Sequence, residues 1–173
     1  YDANPENISY GLDYVDRLAQ ADRYEDVIPV LKSIISQDPS SKLAYRKLAD
    51  AYKAIDDLKG AVSAYQELFR IDPRDSRIAI DISNLYLESN DFGKALRWAD
   101  KAMNLNNDIG DGFGQKGKVY YYGWDNFRKN PFTTDDRIIA KLSYDYFVKA
   151  ELKGYRGFSK RAWLEENSKD ILY

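Results

Sequence analysis

Two kinds of cluster in this chain contain residues that could do chemistry. The segment from Gly110 to Lys118 places Gly112, Gly114 and Gly117 at the G-x-G-x-x-G spacing that lets a backbone approach a pyrophosphate. Gly112, Gly117 and Lys118 also match most of a phosphate-binding loop. Adjacent carboxylates occur at Asp56-Asp57, Asp135-Asp136 and Glu165-Glu166, the raw material of a general acid and base pair. Context argues against both. The stretch before Gly110, Leu105 to Asp108, closes a helical pattern rather than a strand, and Val119 stands where a magnesium-binding Ser or Thr belongs. The carboxylate pairs fall at helix starts, turns or a polar helix face, where capping and solvation explain them. The 173 residues include no Cys and no His, which excludes thiol nucleophiles, disulfides, Ser-His-Asp triads and zinc sites built on Cys or His. The expectation is a chain that is not an enzyme and holds no cofactor and no metal.

The elements that carry these residues follow from a repeat. Asp38-Pro39 recurs as Asp72-Pro73, a shift of 34 residues, and the same shift relates Leu18, Tyr52, Tyr86 and Tyr120. Further columns at that spacing are Tyr24, Leu58 and Phe92; Val27, Ala61 and Ala95; Leu31, Tyr65 and Ala99; and Ile34, Leu68 and Ala102. Within a unit the apolar positions step by three and four, as in Tyr45, Leu48, Ala49 and Tyr52, which is helical periodicity. Each unit therefore holds two helices, parted near Asp56-Asp57 or Asn90-Asp91 and closed by Asp-Pro. Two short helices cannot bury their apolar faces alone, so units of this kind stack.

The unit from Lys42 to Asp75 carries Tyr45, Leu48, Ala49, Tyr52, Ala61, Tyr65, Leu68 and Pro73 at signature positions and resembles the tetratricopeptide repeat family. The units 8–41 and 76–109 match more loosely, with Gly11 where a large residue is usual and Asn107 in place of the proline. A fourth, atypical unit spans 110–157. Phe113, Gly117 and Tyr120 start it in register, but Ser143, Phe147 and Ala150 place its second helix about 14 residues late, implying an insertion near 121–136. Thr133 or Thr134 ahead of Asp135 and Asp136 reads as the start of that helix, and a capping helix is expected over 158–171. The resemblance implies one all-α domain over 1–173, a right-handed α-α superhelix of about three and a half to four helix-turn-helix repeats.

The same resemblance implies an inner face lined by fixed positions of each first helix. On this chain those are Ser9, Leu12, Asp16, Ala19 and Gln20; Leu43, Arg46, Asp50, Lys53 and Ala54; Arg77, Ile80, Asn84, Leu87 and Glu88; and Asp111, Gly114, Lys118, Tyr121 and Tyr122. Arg46, Asp50, Lys53, Arg77, Ile80, Asn84, Leu87, Lys118, Tyr121 and Tyr122 are the candidate binding residues. Some members of the family clamp a chaperone's terminal carboxylate with Lys, Arg and Asn. Here the nearest counterparts are Arg46, Asp50 and Asp81, and two Asp would repel such a ligand. The expectation is a scaffold that holds a protein or an extended peptide through mixed polar and apolar contacts. The alternative is self-association or intrachain docking through Trp124, Phe127 and Phe132, unless those aromatics only fill the core of the fourth unit.

Charge sharpens the contrast between the halves. Residues 1–109 carry 14 basic and 19 acidic side chains, residues 110–173 carry 12 and 9, and the last 64 residues hold 14 of the aromatic rings. The basic excess is interleaved with Asp and Glu, which does not suit nucleic acid. No apolar run reaches the roughly 18 to 20 residues of a spanning helix. Asn7-Ile8-Ser9 is a glycosylation sequon of low information. A chain without Cys suits the cytoplasm or the periplasm and cell envelope alike, and Tyr1 in place of Met reads as a truncated start.

Overall fold

The computed structural model describes residues 7–171, and every regular element among them is helical. The chain divides into two compact units, residues 1–73 and 74–173. The first unit contains α1 (Ile8–Gln20), α2 (Tyr24–Gln37), α3 (Lys42–Ala54) and α4 (Leu58–Ile71). The second contains α5 (Ser76–Glu88), α6 (Phe92–Leu105), α7 (Asp111–Phe127), α8 (Thr134–Leu152), α9 (Arg161–Glu166) and α10 (Ser168–Ile171). The starts of α1, α3 and α5 fall 34 residues apart, as do those of α2, α4 and α6.

The turns repeat at the same spacing. Asp22, Asp56 and Asn90 each adopt positive φ, between 54° and 60°, which Asp and Asn tolerate better than bulkier residues. At the second of them, Asp57 N donates to Tyr52 O at 2.8 Å and Asp56 N donates to Lys53 O at 3.0 Å, the paired bonds that close a helix around a left-handed residue. Asp57 then caps the next helix, its carboxylate accepting from Gly60 N at 2.9 Å. Asp91 does both in the third repeat, accepting from Lys94 N at 3.0 Å. One Asx-Asp step thus ends a helix and starts the next. First helices begin on Asn7, Ser41 and Asp75, each accepting a backbone N–H through its side chain.

Small residues let the helices of a pair approach closely. Ala61, Ala95, Ala99 and Ala102 have no exposed surface. Ser83 Oγ on α5 donates to Ala95 O on α6 at 2.8 Å, and Ser143 Oγ on α8 donates to Gly117 O on α7 at 2.9 Å. The glycine-rich segment belongs to the same packing. A Cβ on Gly112 would stand 2.5 Å from Met103 Cα, and one on Gly117 would stand 2.8 Å from the Phe147 ring.

The expected insertion near 121–136 is mostly helix. α7 has 17 residues where α1, α3 and α5 have 13, and α8 has 19 where α2, α4 and α6 have 14, so each helix gains a turn or more. Only residues 128–133 lie between them. α8 opens on a reciprocal cap: Thr133 Oγ1 accepts from Asp136 N at 3.3 Å, and Asp136 Oδ2 accepts from Thr133 N at 2.7 Å and from Thr133 Oγ1 at 2.6 Å. The expected single helix over 158–171 is instead two short ones. Ser159 Oγ donates to Glu151 Oε1 at 2.7 Å and accepts from Arg161 N at 3.2 Å, which holds Phe158 and Ser159 outside the helix. Asn167 interrupts the remainder, its amide donating to Trp163 O at 2.8 Å. Leu164 and Ile171 nonetheless bury against Trp124, Ala140 and Phe147.

Gly112 and Gly123 should respond to alanine in opposite senses. Gly112→Ala, driven into the backbone of α6, is expected to lower unfolding free energy by about 1–3 kcal/mol. Gly123→Ala, whose Cβ meets Phe92 at an ordinary 3.5 Å, should raise it by roughly 0.5–1 kcal/mol through helix propensity. Urea titrations of the two variants decide the matter. Asp136 supplies a pH test. The Thr133 hydroxyl, followed by the Thr133 backbone N–H, holds its carboxyl below the usual carboxylate range. The folded state therefore binds this proton more weakly than the unfolded chain, and the stabilisation is complete above the ordinary Asp pKa and lost as pH falls through the folded value. The stability gap between the wild type and Asp136→Asn should be widest near neutrality and shrink as the pH drops below about 4.

Candidate functional site

α7 carries two stripes offset by one residue, about 100° around the helix. Gly114, Gly117, Tyr121 and Trp124 are buried. Tyr121 packs near Phe158 and Trp163, with ring centroids 6.1 and 6.3 Å away, and burial pushes its phenol pKa up. Lys118, Tyr122, Asp125 and Asn126 form the other stripe, which faces α5 across an open cleft of about 330 Å³. Asn84, Leu87 and Glu88 of α5 line the opposite side, and Asn90 and Phe92, from the α5–α6 turn and the start of α6, complete the lining.

Buried polar groups hold this cleft in shape. Gln115, almost fully buried, donates through Nε2 to Ser83 Oγ at 3.0 Å and to Asn84 Oδ1 at 3.1 Å. Lys118 Nζ donates to the same Asn84 oxygen at 2.9 Å. With two donors on its oxygen, Asn84 offers its amide N–H groups as the remaining hydrogen-bonding capacity. Burial lowers the Lys118 pKa, a tendency that the charge of Glu88 opposes. The Tyr122 ring stacks on Phe158 at 5.4 Å and 21°, and Phe92 meets Phe127 edge-on at 5.5 Å.

Of the sequence-derived candidates, Asn84, Leu87, Lys118 and Tyr122 meet in this cleft. Arg77 lies at the start of α5 with its guanidinium on the Asp75 carboxylate at 3.0 and 3.1 Å, and Ile80 is half-buried on the same helix. Arg46, Asp50 and Lys53 belong to α3 in the other compact unit. Arg46 lies over the Tyr65 ring at 5.9 Å, Asp50 accepts from Tyr65 OH at 3.1 Å, and Lys53 is exposed. Asp50 also borders a cleft of about 240 Å³ between α1, α2 and α3, where the Lys47 ammonium pairs with Asp16.

Two of the expected positions need correction. Tyr121 is 9% exposed and belongs to the core, because it shares a face with Gly117 and Trp124; only Tyr122 of that pair reaches the cleft. Trp124, at 1% exposed, is likewise core and not a docking surface. Phe132 is half-buried against it at 5.8 Å, and Phe127 alone of the three is open, at 66%. Gln115, Asn90, Phe92, Asp125 and Asn126 were not among the candidates. Phe92 sits in a column that reads as core, whereas Asp125 and Asn126 become legible only if the helix runs on past Gly123. Among the described residues no group of three or more His, Cys, Asp or Glu could hold a metal, and no helix is long and apolar enough to cross a membrane.

No family model matches the chain. The cellulose synthase operon protein C of Pseudomonas fluorescens (strain SBW25) is 29% identical over 98 residues, a match that covers 53% of this chain but only 8% of that protein. Among solved structures, that of MamA aligns with a TM-score of 0.69 at 19% identity, covering 97% of this chain and 84% of its own. YrrB, described as a tetratricopeptide repeat protein with an unusual peptide-binding site, aligns with a TM-score of 0.58 at 15% identity, covering 98% and 84%. The chain has the tetratricopeptide repeat fold.

The Asn84 oxygen ties Lys118 to the cleft wall, so the two should be energetically coupled. Asn84→Ala leaves a half-buried ammonium without its acceptor and should cost about 1–3 kcal/mol in urea unfolding. Lys118→Met in that background should recover part of the loss. A double variant whose deficit equals the sum of the singles would show that the bond contributes nothing.

Proposed function

We propose that this chain of tetratricopeptide repeat fold is a non-catalytic interaction scaffold and that the cleft between α5 and α7 takes an extended segment of a protein or peptide partner. The supporting observation is the make-up of the cleft. Leu87, Phe92 and Tyr122 offer apolar surface, while Asn84, Asn90 and Asn126 place amides around it. An amide side chain both donates and accepts, so it can pair with the N–H and C=O of a passing backbone. The volume, about 330 Å³, lies at the small end of the roughly 300–1,000 Å³ range of ligand clefts and suits a large side chain better than a cofactor. The description of YrrB as peptide-binding supports the same class of ligand.

A displayed library of random short peptides, panned on the immobilised chain, tests this. Binders should be recovered whose capture is lost on Leu87→Asp combined with Tyr122→Ser, with the circular dichroism spectrum unchanged. Binders indifferent to that change would move the site elsewhere. A second reading, self-association, rests on the exposed ring of Phe127. It requires an oligomer in sedimentation that Phe127→Ser dissociates.

A further inference from the structure

The charges around the cleft are not disposed evenly, and the arrangement bears on what it selects. The cation on its wall is turned inward. Lys118 Nζ donates to Asn84 Oδ1 at 2.9 Å and lies 5.9 Å from the centre of the Phe158 ring, half-buried between them. The anions are on the rim. Glu88 and Asp125 are both exposed, one on each helix that forms the cleft. Asp125 shares its carboxylate with Arg128, whose Nε lies at 3.0 Å. Glu88 has no hydrogen-bond or ion-pair partner among the described residues, and its interaction with Lys118 is through space only. An anionic ligand would meet the unpaired Glu88 carboxylate before it reached a cation already occupied by Asn84.

We infer that the cleft selects extended segments in which a large apolar residue and a Lys or Arg stand two positions apart, the apolar side chain against Leu87, Phe92 and Tyr122 and the cation on Glu88. Leu87 and Glu88 are neighbours on α5, and the nearest same-side pair of an extended backbone, residues i and i+2 about 6.5–7 Å apart, is the one matched to them. The Tyr122 ring, held flat on Phe158, gives the apolar residue a fixed wall, and Asn84, one turn before Leu87 and Glu88 on α5, lines the same cleft with its amide N–H groups still to be used. The proposal rests on the peptide-binding reading above and adds to it the chemistry of the peptide.

The sequences of the peptides recovered by panning decide the matter, together with titrations of one recovered peptide against Glu88 variants. The expected result is enrichment of Lys or Arg two positions from an apolar residue. Glu88→Gln should weaken binding by about 2- to 5-fold, the worth of a partly exposed ion pair, and Glu88→Lys by more, with the difference fading as salt rises. Peptides that depend on Leu87 and Tyr122 but carry acidic or uncharged neighbours would overturn the selectivity and leave the peptide-binding function standing. Binders indifferent to those two residues would move the site and remove the selectivity, and failure to recover any binder would remove the function and the selectivity together. Glu88 is exposed at the end of α5, and unchanged helicity of its variants separates lost recognition from lost folding.

Discussion

The constraint on which the rest of this structure depends is that paired helices approach until a side-chain hydroxyl on one can reach a backbone carbonyl on the other. Ser83 of α5 donates to Ala95 O of α6, and Ser143 of α8 donates to Gly117 O of α7. Neither bond can form unless the facing positions are almost empty. That requirement explains why Ala95 and Gly117 lie at these two contacts, while Ala61 on α4 and Gly112 against α6 serve close packing elsewhere in the stack. It also absorbs the segment that looks most like a phosphate loop. Gly112 approaches the backbone of Met103, and Gly117 lies against the Phe147 ring, so these positions serve helix packing.

The close contact extends to the candidate site through one residue. Ser83 both bonds α6 and accepts from Gln115 of α7, and its chain neighbour Asn84 accepts from Gln115 and Lys118. The hydrogen bonds that fix α7 against α5 are therefore the ones that set the hydrogen-bonding face of the cleft. Of the amides that line the cleft, that of Asn84 is thereby oriented in the absence of a ligand. Such preorganisation lowers the ordering cost of binding. The fixed stack of Tyr122 on Phe158 acts in the same sense on the apolar side.

The sequence made the helix pairs legible because the repeat is written in packing residues and in turn residues at once. The 34-residue columns gave the helix faces, while Asp56-Asp57 and Asn90-Asp91 gave the turns; Asp56 and Asn90 adopt positive φ, as does Asp22 at the same spacing. The start of α8 was equally readable from Thr133 and the two carboxylates that follow it. Tyr121 could not be placed in this way. Three consecutive tyrosines must face three directions, but which of Tyr121 and Tyr122 faces solvent depends on where α8 and the C-terminal helices pack, and those contacts are long-range. Trp124 stayed open between core and surface for a related reason: the late second helix implied an insertion near 121–136, whereas α7 runs through Gly123 to Phe127. The break at Asn167 coincides with a local side-chain bond to Trp163 O, made beside the helical bond from Asn167 N, which periodicity does not report.

The lengthened fourth helix pair changes how the aromatic-rich end of the chain is understood. A free insertion would add a loop on the surface; an added turn instead extends two faces of α7 at once. On one face it adds Trp124 to a core with Ala140, Phe147, Leu164 and Ile171. On the other it adds Asp125 and Asn126 to the cleft. Because successive residues differ by about 100°, neither addition can occur without the other. The stability of the C-terminal end and the polar rim of the candidate site therefore come from the same turn of helix. Without that turn, a first helix of ordinary length would end before Trp124 and leave the cleft with only Glu88 as its rim carboxylate.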